Sequence, residues 1–386
     1  MLEYNYPAYF CGAEEPMRID VDSSFEPDPK RRENTLKQDL GFGRYFTDRM
    51  FTAHHEDGRG WHDATIGPLT DLQLHPAAAV FHYGQAIFEG QKAYRRMDGE
   101  IALFRPEQNA QRFRLSAERM VMPPVPEELY LEAVETLVDL ERNWVPGGEM
   151  QSLYIRPYMI ATEPLQGVRA ANKYLFAIIL SPVGAYYASG FKPVDILVSE
   201  RYVRAAEGGT GEAKTAGNYG ASLIAAQEAR EEKCAQVLWL DAKERRYVEE
   251  IGAMNVMFVI DGSLITPPLT GTILPGVTRS CILEIARDKK IPVAERRLTI
   301  DELTEAIGGG RCQESFGCGT AAVITAIRSF RYRGKEYRVR DEPGPISQMM
   351  LKTITNIQWG RASDPYGWAH VVRRAPRGRV FPDSNS

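Results

Sequence analysis

The chain has 386 residues, of which 44% are hydrophobic, and a formal net charge of -4. At about 150 residues per domain, this length predicts two domains, each large enough to bury its own core. The slight acidity gives no general attraction to nucleic acid or to an anionic membrane. We therefore expect a pocket that recognises small molecules.

Cysteine and histidine usage excludes several kinds of site. The five cysteines form no CxxC pair, which argues against a disulfide framework and against a zinc ribbon; they are Cys11, Cys234, Cys281, Cys312 and Cys318. The six histidines show no metal-ligand spacing, so we expect no metal. The first residues lack a basic and apolar leader, and no uninterrupted apolar run reaches about 18 residues. These features favour a cytoplasmic protein.

The first half of the chain predicts a small α/β domain over residues 37–183, preceded by a poorly ordered arm over residues 1–36. Proline and mixed charge dominate the arm. A helix is expected from Arg105, where Pro106 suits the first turn, and another from about Pro126 to Trp144. Residues 152–160 and 173–180 have the β-branched and aromatic character of strands.

Residues 184–193 are rich in small side chains and predict the connection to a larger domain over residues 194–372. Strands are expected at 195–198, 235–240, 254–260, 293–298 and 321–327, with helices at about 219–233 and 276–289. The last residues, 373–386, include four arginines and no core pattern, which indicates a solvated tail. Mixed helices and strands in both halves indicate an α/β or α+β fold.

The segment Gly208–Gly220 places Lys214 among glycines and small residues, directly before a predicted helix. Its small neighbours would let a planar ligand approach. Three interpretations compete: a lysine that forms a Schiff base, a phosphate loop of the Walker type, and a glycine turn with a surface lysine. The Walker interpretation is weak because that motif requires Gly directly before Lys, where this chain has Ala213.

A lysine that carries pyridoxal phosphate needs an anion site, a carboxylate for the ring nitrogen and a trap for the substrate carboxylate. The turn before Val277 and Thr278 leads into a predicted helix, whose first amides would form the anion site. Gly317–Ala322 is a second turn of small residues. Glu249 and Glu250 begin a third segment, although single carboxylates are more often solvated charges.

Six motifs in this order resemble the branched-chain aminotransferases, members of the fold type IV pyridoxal-phosphate enzymes and class IV aminotransferases. They are Gly84–Tyr94 (GQAIFEGQKAY), Phe104–Pro106 with Asn109 and Arg112, Tyr154–Pro157 (YIRP), Lys214 with Gly217–Tyr219, Glu250 with Gly252 and Asn255, and Gly319–Ala322 (GTAA). The resemblance spans about residues 41–368. It implies a two-domain α/β (α+β) fold like that of D-amino-acid aminotransferase.

The resemblance also implies a role for each cofactor residue. Lys214 would carry pyridoxal 5'-phosphate and move the Cα proton, and Glu250 would pair with the ring nitrogen. Tyr219 would bind the ring hydroxyl, with Arg204 nearby. The phosphate would be held by Arg112, Thr278, Thr320 and the Val277 amide.

For the substrate, the resemblance implies that the amides of Ala321 and Ala322 receive the α-carboxylate and that Arg156 meets the distal carboxylate of glutamate. The other residues that it places at the substrate are Tyr83, Phe88, Tyr154, Tyr186 and Ala253. Loop 163–168, with Gln166 and Val168, would reach the partner's pocket in a homodimer. No nucleic acid or membrane partner is expected.

The expected reaction is amino transfer between a branched-chain or similar L-amino acid and 2-oxoglutarate. Gln166 stands where the family usually has an aliphatic residue, which leaves open a polar or modified substrate of specialised metabolism. Ala253 replaces the usual Thr or Gly, and Ala326 replaces the usual Pro. A lyase of the aminodeoxychorismate type is a further alternative, and a nucleotide-binding NTPase is a remote one.

Overall fold

The computed structural model describes residues 17–184 and 191–374. Its helices are α1 (Pro29–Leu36), α2 (Ala79–Tyr83), α3 (Pro106–Arg119), α4 (Glu127–Leu140), α5 (Ala216–Glu231), α6 (Val277–Asp288), α7 (Ile300–Gly308) and α8 (Pro345–Gln358). A 3₁₀ turn covers Arg142–Trp144. No helix of this part of the chain is long and apolar enough to cross a membrane.

The strands form two sheets. They are β1 (Asp20–Val21), β2 (Arg49–Glu56), β3 (Gly60–Pro68), β4 (Ala86–Phe88), β5 (Gln91–Arg95), β6 (Ile101–Phe104), β7 (Ser152–Ala161), β8 (Lys173–Val183), β9 (Val194–Val198), β10 (Gln236–Leu240), β11 (Val248–Ile251), β12 (Met254–Ile260), β13 (Ser263–Thr266), β14 (Val293–Glu295), β15 (Cys312–Gly319), β16 (Val323–Tyr332), β17 (Lys335–Arg338) and β18 (Ala369–Val371).

The first sheet has the order β1-β3-β2-β8-β7-β5-β6-β18, and β4 pairs with β7. Helices α3 and α4 cover it. On α4, the buried residues Leu129, Ala133 and Leu137 recur every four positions, so one helical stripe faces the sheet. Phe113 of α3 packs against Phe176 of β8, with ring centroids 5.4 Å apart. This core belongs to the first half of the chain.

The second sheet has the order β11-β10-β9-β16-β15-β12-β13-β14, and β11 also pairs with β12. That additional pairing closes six strands into a ring. Strand β12 is buried at every position: Val256 and Phe258 belong to the core that α7 covers, whereas Met257 and Val259 pack with α6 and α8. A strand with both faces covered reads as a continuous apolar run.

Two expectations about the ends of the chain are wrong. The second half of the predicted arm is structured, because Asp28 caps α1 by accepting from the amides of Lys30 (2.9 Å) and Arg31 (3.2 Å). Arg31 pairs with Asp48, the residue just before β2, and lies 5.2 Å from the Trp144 ring centroid. The sequence pattern did not predict the packing of α1 on the first half of the chain, because the residues of α1 are mostly charged or polar.

At the other end, residues 369–371 were expected in the larger domain but form β18, which pairs antiparallel with β6 of the first sheet. The amide of Val372 donates to Ile101 O at 2.8 Å, and Val372 is fully buried. The sheet of the first half is therefore completed by the end of the chain. Most of the predicted connection and tail, residues 185–190 and 375–386, lies outside the described residues.

The predicted central elements are confirmed: α3, α4, α5 and α6 lie within about four residues of the expected bounds, as do the strands β7 to β10 and β12. The expected strand 293–298 ends earlier, at Glu295. Helices α7 and α8 were not anticipated. Both present amphipathic stripes whose buried members include Leu303 and Ile354.

Candidate active site

A cavity of about 680 Å³ opens between the two sheets, and most of the predicted site residues line it. They come from separate segments of both halves of the chain: Phe88, Arg112, Tyr154, Arg156, Lys214, Tyr219, Glu250, Ala253, Val277, Thr278, Thr320, Ala321 and Ala322. The fold thus brings together in space what the sequence only places in order.

Lys214 projects into this cavity from the residues just before α5. Its Nζ donates to the Tyr219 hydroxyl at 2.7 Å. The same nitrogen lies 4.9 Å from the Phe88 ring centroid and 5.0 Å from that of Tyr219. Aromatic faces attract a cation at this range and exclude water from it. The amine is therefore held at one defined place while it remains free to react.

The backbone around Lys214 is fixed by the first half of the chain. Its amide donates to Ser116 Oγ of α3 at 2.9 Å, and its carbonyl accepts from the Phe88 amide at 3.0 Å. Thr215 Oγ1 donates to Ala86 O at 2.9 Å. Lys214 of the second half is thus positioned by hydrogen bonds to the first sheet and to α3.

The glycines before Lys214 serve loop packing. A Cβ on Gly211 would lie 2.5 Å from the Thr272 carbonyl oxygen, which is closer than Cβ contacts occur. Asn218 Nδ2 ties the loop together by donating to Thr210 O at 2.7 Å and to Ala213 O at 3.0 Å. Small residues are required here because backbone approaches backbone, and the glycine pattern by itself does not identify a ligand.

Glu250 forms the wall opposite the lysine segment, at the end of β11, and is 2% exposed. Its Oε1 accepts from the Leu274 amide at 3.0 Å and from Asn255 Nδ2 at 3.1 Å. Burial raises the pKa of Glu250 to about 7, even though the nearby Arg204 acts in the opposite direction. A carboxyl with this pKa exchanges its proton near neutrality.

Arg204 lies beside Glu250, the residue expected at the ring nitrogen. Its Nε is 2.9 Å from Glu250 Oε2, and its Nη2 donates to Gly211 O at 2.9 Å and also to Thr272 O. Arg204 is absent from the cavity lining. The guanidinium and the carboxylate lie together because a buried charge is costly unless an opposite charge accompanies it.

Glu249, the neighbour of Glu250, faces away from this cavity. Residues that alternate along a strand point to opposite faces. Glu249 Oε1 accepts from Thr272 Oγ1 at 2.5 Å, and Glu249 lines a separate cavity of about 310 Å³. Burial also raises its pKa. The expected distinction between the two glutamates follows from this alternation.

Arg112 of α3 reaches the cavity through a pairing that the motif analysis did not assign. Its Nε donates to Glu89 Oε1 at 2.7 Å and its Nη2 to Glu89 Oε2 at 2.9 Å. Asn109 Nδ2 adds a third donor to Glu89 at 2.7 Å. Burial would raise the pKa of Glu89, but the charge and hydrogen bonds of Arg112 outweigh it and lower the pKa.

The amino end of α6 forms one end of the cavity. Gly276 precedes the helix, and no side chain caps it, so the first amides have no partner within the helix. Val277 and Thr278 line the cavity there, together with Thr320 of the turn between β15 and β16. A Cβ on Gly276 would lie 2.0 Å from Asn255 Oδ1, which explains the glycine. This end suits an anion.

The opposite end is aromatic and holds Arg156. Arg156 Nη2 donates to the Tyr154 hydroxyl at 2.9 Å, and its guanidinium carbon lies 4.7 Å from the Phe88 ring centroid. Its Nε is buried without a hydrogen-bond partner among the described residues. A Cβ on Gly90 would lie 2.1 Å from the Tyr154 hydroxyl oxygen, so glycine is needed for that tyrosine to fit.

Three predicted substrate residues do not line the cavity of their own chain. Tyr83 is 38% exposed and donates its hydroxyl to Gln166 O of the surface loop, so the expectation that it lines this pocket is wrong within one chain. Gln166 is exposed, and Val168 is 89% exposed. Tyr186 lies outside the described residues.

Other residues of the cavity wall were missed by the sequence analysis. Phe42 lines the cavity and packs edge-on against Tyr154, with ring centroids 4.8 Å apart. Tyr158 and Ile160 follow Tyr154 and Arg156 on β7 and also line it. Their period of two along that strand was the available signal, because alternate residues share one face.

Metal and thiol chemistry find little support in the described part of the chain. No group of three or more His, Cys, Asp or Glu side chains there is placed to hold a metal ion. Cys318 lines the cavity but is buried, which raises the pKa of its thiol. The second cysteine of a CxxC motif is absent, since Ala321 occupies that position.

Comparison with known proteins identifies the family. Residues 86–330 match the family model described as "Amino-transferase class IV", so the chain belongs to the class IV amino-transferases. It is 53% identical over 335 residues to the branched-chain-amino-acid transaminase 1 of Bacillus subtilis (strain 168), covering 86% of this chain and 94% of that relative.

Solved structures show the same fold. The crystal structure of the Escherichia coli branched-chain amino acid aminotransferase superposes with a TM-score of 0.71 at 28% identity, over 84% of this chain and 99% of that one. The T.th. branched-chain amino acid aminotransferase with pyridoxamine 5'-phosphate gives a TM-score of 0.69 at 26% identity, over 83% of this chain and 98% of that one. The expected two-domain fold of this enzyme class is confirmed.

Proposed function

We propose that this protein transfers the amino group of a branched-chain L-amino acid to 2-oxoglutarate, giving the 2-keto acid and L-glutamate, with pyridoxal 5'-phosphate as cofactor. One observation carries the proposal: Lys214, Glu250 and the uncapped end of α6 line the same cavity. An amine, a buried carboxyl and an anion site are the three groups that this cofactor requires.

The described residues fit the cofactor. Lys214 Nζ would be the attachment point, and Glu250 would pair with the ring nitrogen. Tyr219, whose hydroxyl is 2.7 Å from the lysine nitrogen, would bind the ring hydroxyl. Arg112, Thr278, Thr320 and the Val277 amide are the groups that would hold the phosphate. When bound, the cofactor supplies an electron-withdrawing ring that stabilises negative charge at the substrate Cα.

The chain's own groups then perform the proton transfer and the orientation. Lys214 Nζ removes the proton from the substrate Cα and returns one during the second half of the cycle. Tyr219 keeps that nitrogen near its working place through the 2.7 Å hydrogen bond. Glu250 retains its negative charge opposite a protonated ring nitrogen, because a cation at that place would lower its raised pKa.

Substrate selection divides between the two ends of the cavity. The amides of Ala321 and Ala322 would receive the α-carboxylate. The aromatic end, formed by Phe42, Phe88 and Tyr154, would enclose an aliphatic side chain. Arg156, with its buried and unpartnered Nε, would meet the distal carboxylate when glutamate occupies the same place.

Exposed apolar groups support a homodimer. Phe81 and Leu223 are 61% and 65% exposed, and Val168 is 89% exposed. Contiguous exposed apolar surface commonly marks a protein interface. We include in the proposal that loop 163–168, with Gln166 and Val168, and the neighbouring Tyr83 enter the partner's cavity.

A panel of amino donors with 2-oxoglutarate tests the function, with L-glutamate as the measured product. Leucine, isoleucine and valine should give the highest kcat/KM, and the Lys214→Ala variant should give no turnover above background. Product release without a keto-acid acceptor would instead indicate a lyase. Ranking of a polar or modified amino acid above leucine would contradict the proposed substrate class.

Gln166 favours the second candidate, a transaminase for a polar or modified substrate. If its amide enters the partner's cavity, Gln166→Leu should raise kcat/KM for leucine relative to a polar donor by up to about 10- to 200-fold. An unchanged donor ranking, with kcat and stability preserved, would remove the reason for this candidate.

A further inference from the structure

Lys92 is a buried lysine without a carboxylate partner. It lies on β5 and is 5% exposed. Among residues 17–184 and 191–374, it forms no ion pair with an acidic side chain, and no nearby charge contributes to its pKa. Burial lowers the pKa of its ammonium to about 7. Burying an unpaired charge is costly, so we expect a group other than a carboxylate of the chain to stabilise the Lys92 ammonium.

The partner in the chain is a backbone carbonyl of the turn between β15 and β16. Lys92 Nζ donates to Ala321 O at 2.7 Å, across 229 positions in sequence. Lys92 does not line the 680 Å³ cavity, whereas Ala321 and Ala322 do. It lines instead a small space beside Thr278 and Thr320. The ammonium therefore lies behind the turn, on the side away from the substrate.

The geometry of the peptide bond connects this contact to the cavity. The carbonyl of Ala321 and the amide of Ala322 belong to one planar trans peptide unit, so the C=O and N–H point in opposite directions. A hydrogen bond that holds Ala321 O toward Lys92 therefore aims the Ala322 N–H away from Lys92. The Ala322 carbonyl is fixed separately, because it accepts from the Ile324 amide at 2.8 Å.

We propose that Lys92 is a positioning residue for the substrate α-carboxylate: it orients the Ala322 amide and, when protonated, places a positive charge behind that peptide. The proposal rests on the proposed function, which puts the carboxylate at this turn. A donor on the carbonyl also polarises the peptide and strengthens its N–H as a donor. The bound carboxylate is the counter-charge that the buried ammonium otherwise lacks.

Two ligands for the holoenzyme separate this role from general structural support. The first is 4-methylpentanoate, which has the carboxylate and the branched chain; the second is 3-methylbutylamine, which has no carboxylate. In Lys92→Met, the Kd of the acid measured by calorimetry should rise about 10- to 100-fold, because an oriented, charge-assisted hydrogen bond is lost. The Kd of the amine should change less than about threefold.

Tyr94→Phe is the matched control. Tyr94 lies two positions further on the same strand face and is also buried, but it packs on Trp359 with ring centroids 4.8 Å apart. It should bind both ligands within about threefold of the native holoenzyme. Lys92→Arg keeps the positive charge and should bind the acid more tightly than Lys92→Met does.

Hydrogen exchange of the native holoenzyme gives a second measurement that requires no variant. Saturating 4-methylpentanoate should slow exchange of the Ala322 amide. Unchanged acid binding in Lys92→Met, equal losses for the acid and the amine, or no protection of Ala322 would each overturn the positioning role while leaving the proposed amino transfer intact. No protection of Ala322 would also remove that amide from the proposed carboxylate site. A native holoenzyme that binds no 4-methylpentanoate and transaminates none of the donors would contradict both proposals.

Discussion

Each wall of the cavity contains one member of a buried glutamate–arginine pair, and the two pairs differ in the pKa of the glutamate. Arg112 lines the first wall with Glu89 behind it, and Glu250 lines the second with Arg204 behind it. Glu89 receives two hydrogen bonds from Arg112 and one from Asn109, and its pKa is lowered. In the wall from the second half, burial raises the pKa of Glu250 to about 7.

The difference lies in how completely each carboxylate is satisfied. Both oxygens of Glu89 accept charge-assisted hydrogen bonds in a fork geometry, which stabilises the charged form. Glu250 has Arg204 Nε at 2.9 Å from one oxygen, a neutral amide and a side-chain amide on the other, and the like charge of Glu249 nearby. The fixed ion pair of Glu89 suits a structural role. The pKa of Glu250 is close to neutral pH, which suits a carboxyl that pairs with a cation when one binds beside it.

The largest expected effect comes from breaking the anchored pair. Glu89→Gln leaves the Arg112 guanidinium buried without a counter-charge, which should reduce the free energy of unfolding by about 3–5 kcal/mol. It should also weaken cofactor binding, because Arg112 loses its fixed orientation. Urea denaturation and cofactor titration measure the two effects.

Glu141→Gln is the matched control for that variant. Glu141 is equally buried and pairs with Arg49 at 3.0 Å, outside the cavity lining. It should lose stability without losing cofactor affinity. Equal cofactor affinity in both variants would refute the role of Glu89 as the anchor of Arg112.

Removing the charge of Glu250, in the wall from the second half of the chain, should affect turnover more than the free energy of unfolding. Glu250→Gln should lower kcat by about 100- to 1000-fold, the usual cost of removing one electrostatic group that acts in the transition state. Steady-state rates with leucine and 2-oxoglutarate provide the measurement. Glu249→Gln, the adjacent residue that faces the other cavity, should retain kcat within about threefold; a loss as large as that of Glu250→Gln would contradict the assignment.

The contrast in pKa also predicts a pH dependence for the protein without cofactor. Because the folded pKa of Glu250, about 7, exceeds its ordinary value of 4.5, the folded state binds the additional proton between these pH values. Stability from this group is therefore complete below about pH 4.5 and decreases as pH rises to 7, by about 2–3 kcal/mol.

Denaturation of the native chain and of Glu250→Gln across this pH range isolates the contribution of that one group. Relative to the variant, the native chain should become less stable as pH rises. Glu89 should act in the opposite direction, because its lowered pKa gives stability that is lost as pH falls below its ordinary value. A difference between the native chain and Glu250→Gln that is independent of pH would show that Glu250 is already ionised.

The smallest expected effect on turnover comes from removing one of the contacts that join the two halves of the chain, the contact made by Arg119. Arg119, at the end of α3, donates to Gly208 O at 2.9 Å and to Gly209 O at 3.0 Å in the lysine segment. Arg119→Ala should loosen this segment and lower kcat about three- to tenfold, because the reacting nitrogen loses part of its positioning. Arg114 lies on the same helix and forms surface ion pairs with Glu118 and Glu127. Arg114→Ala removes these pairs and should leave kcat unchanged.

The sequence predicted the central elements because their signals are local. Hydrophobic periodicity located α3, α4 and α6. The family motifs singled out Lys214, Tyr219 and Glu250, and the fold brings these residues to one cavity. The motif register also favoured Glu250 over Glu249, and strand alternation supplies the physical reason.

What the sequence did not reveal depends on contacts between distant segments. The Glu89 to Arg112 pair spans 23 positions, and Lys92 meets Ala321 across 229. The docking of α1 and the return of β18 to the first sheet depend on tertiary partners in the same way. The pairing of Arg204 with Glu250 was not predicted either, because it follows from burial, which only the folded chain defines.

The most direct test of the account is borohydride reduction of the purified holoenzyme, followed by peptide mass spectrometry. The account predicts that the phosphopyridoxyl mass is attached to the peptide that contains Lys214, and that absorbance of the bound cofactor disappears on reduction. Attachment to Lys92 or to another lysine, or recovery of an unmodified Lys214 peptide from active protein, would contradict it.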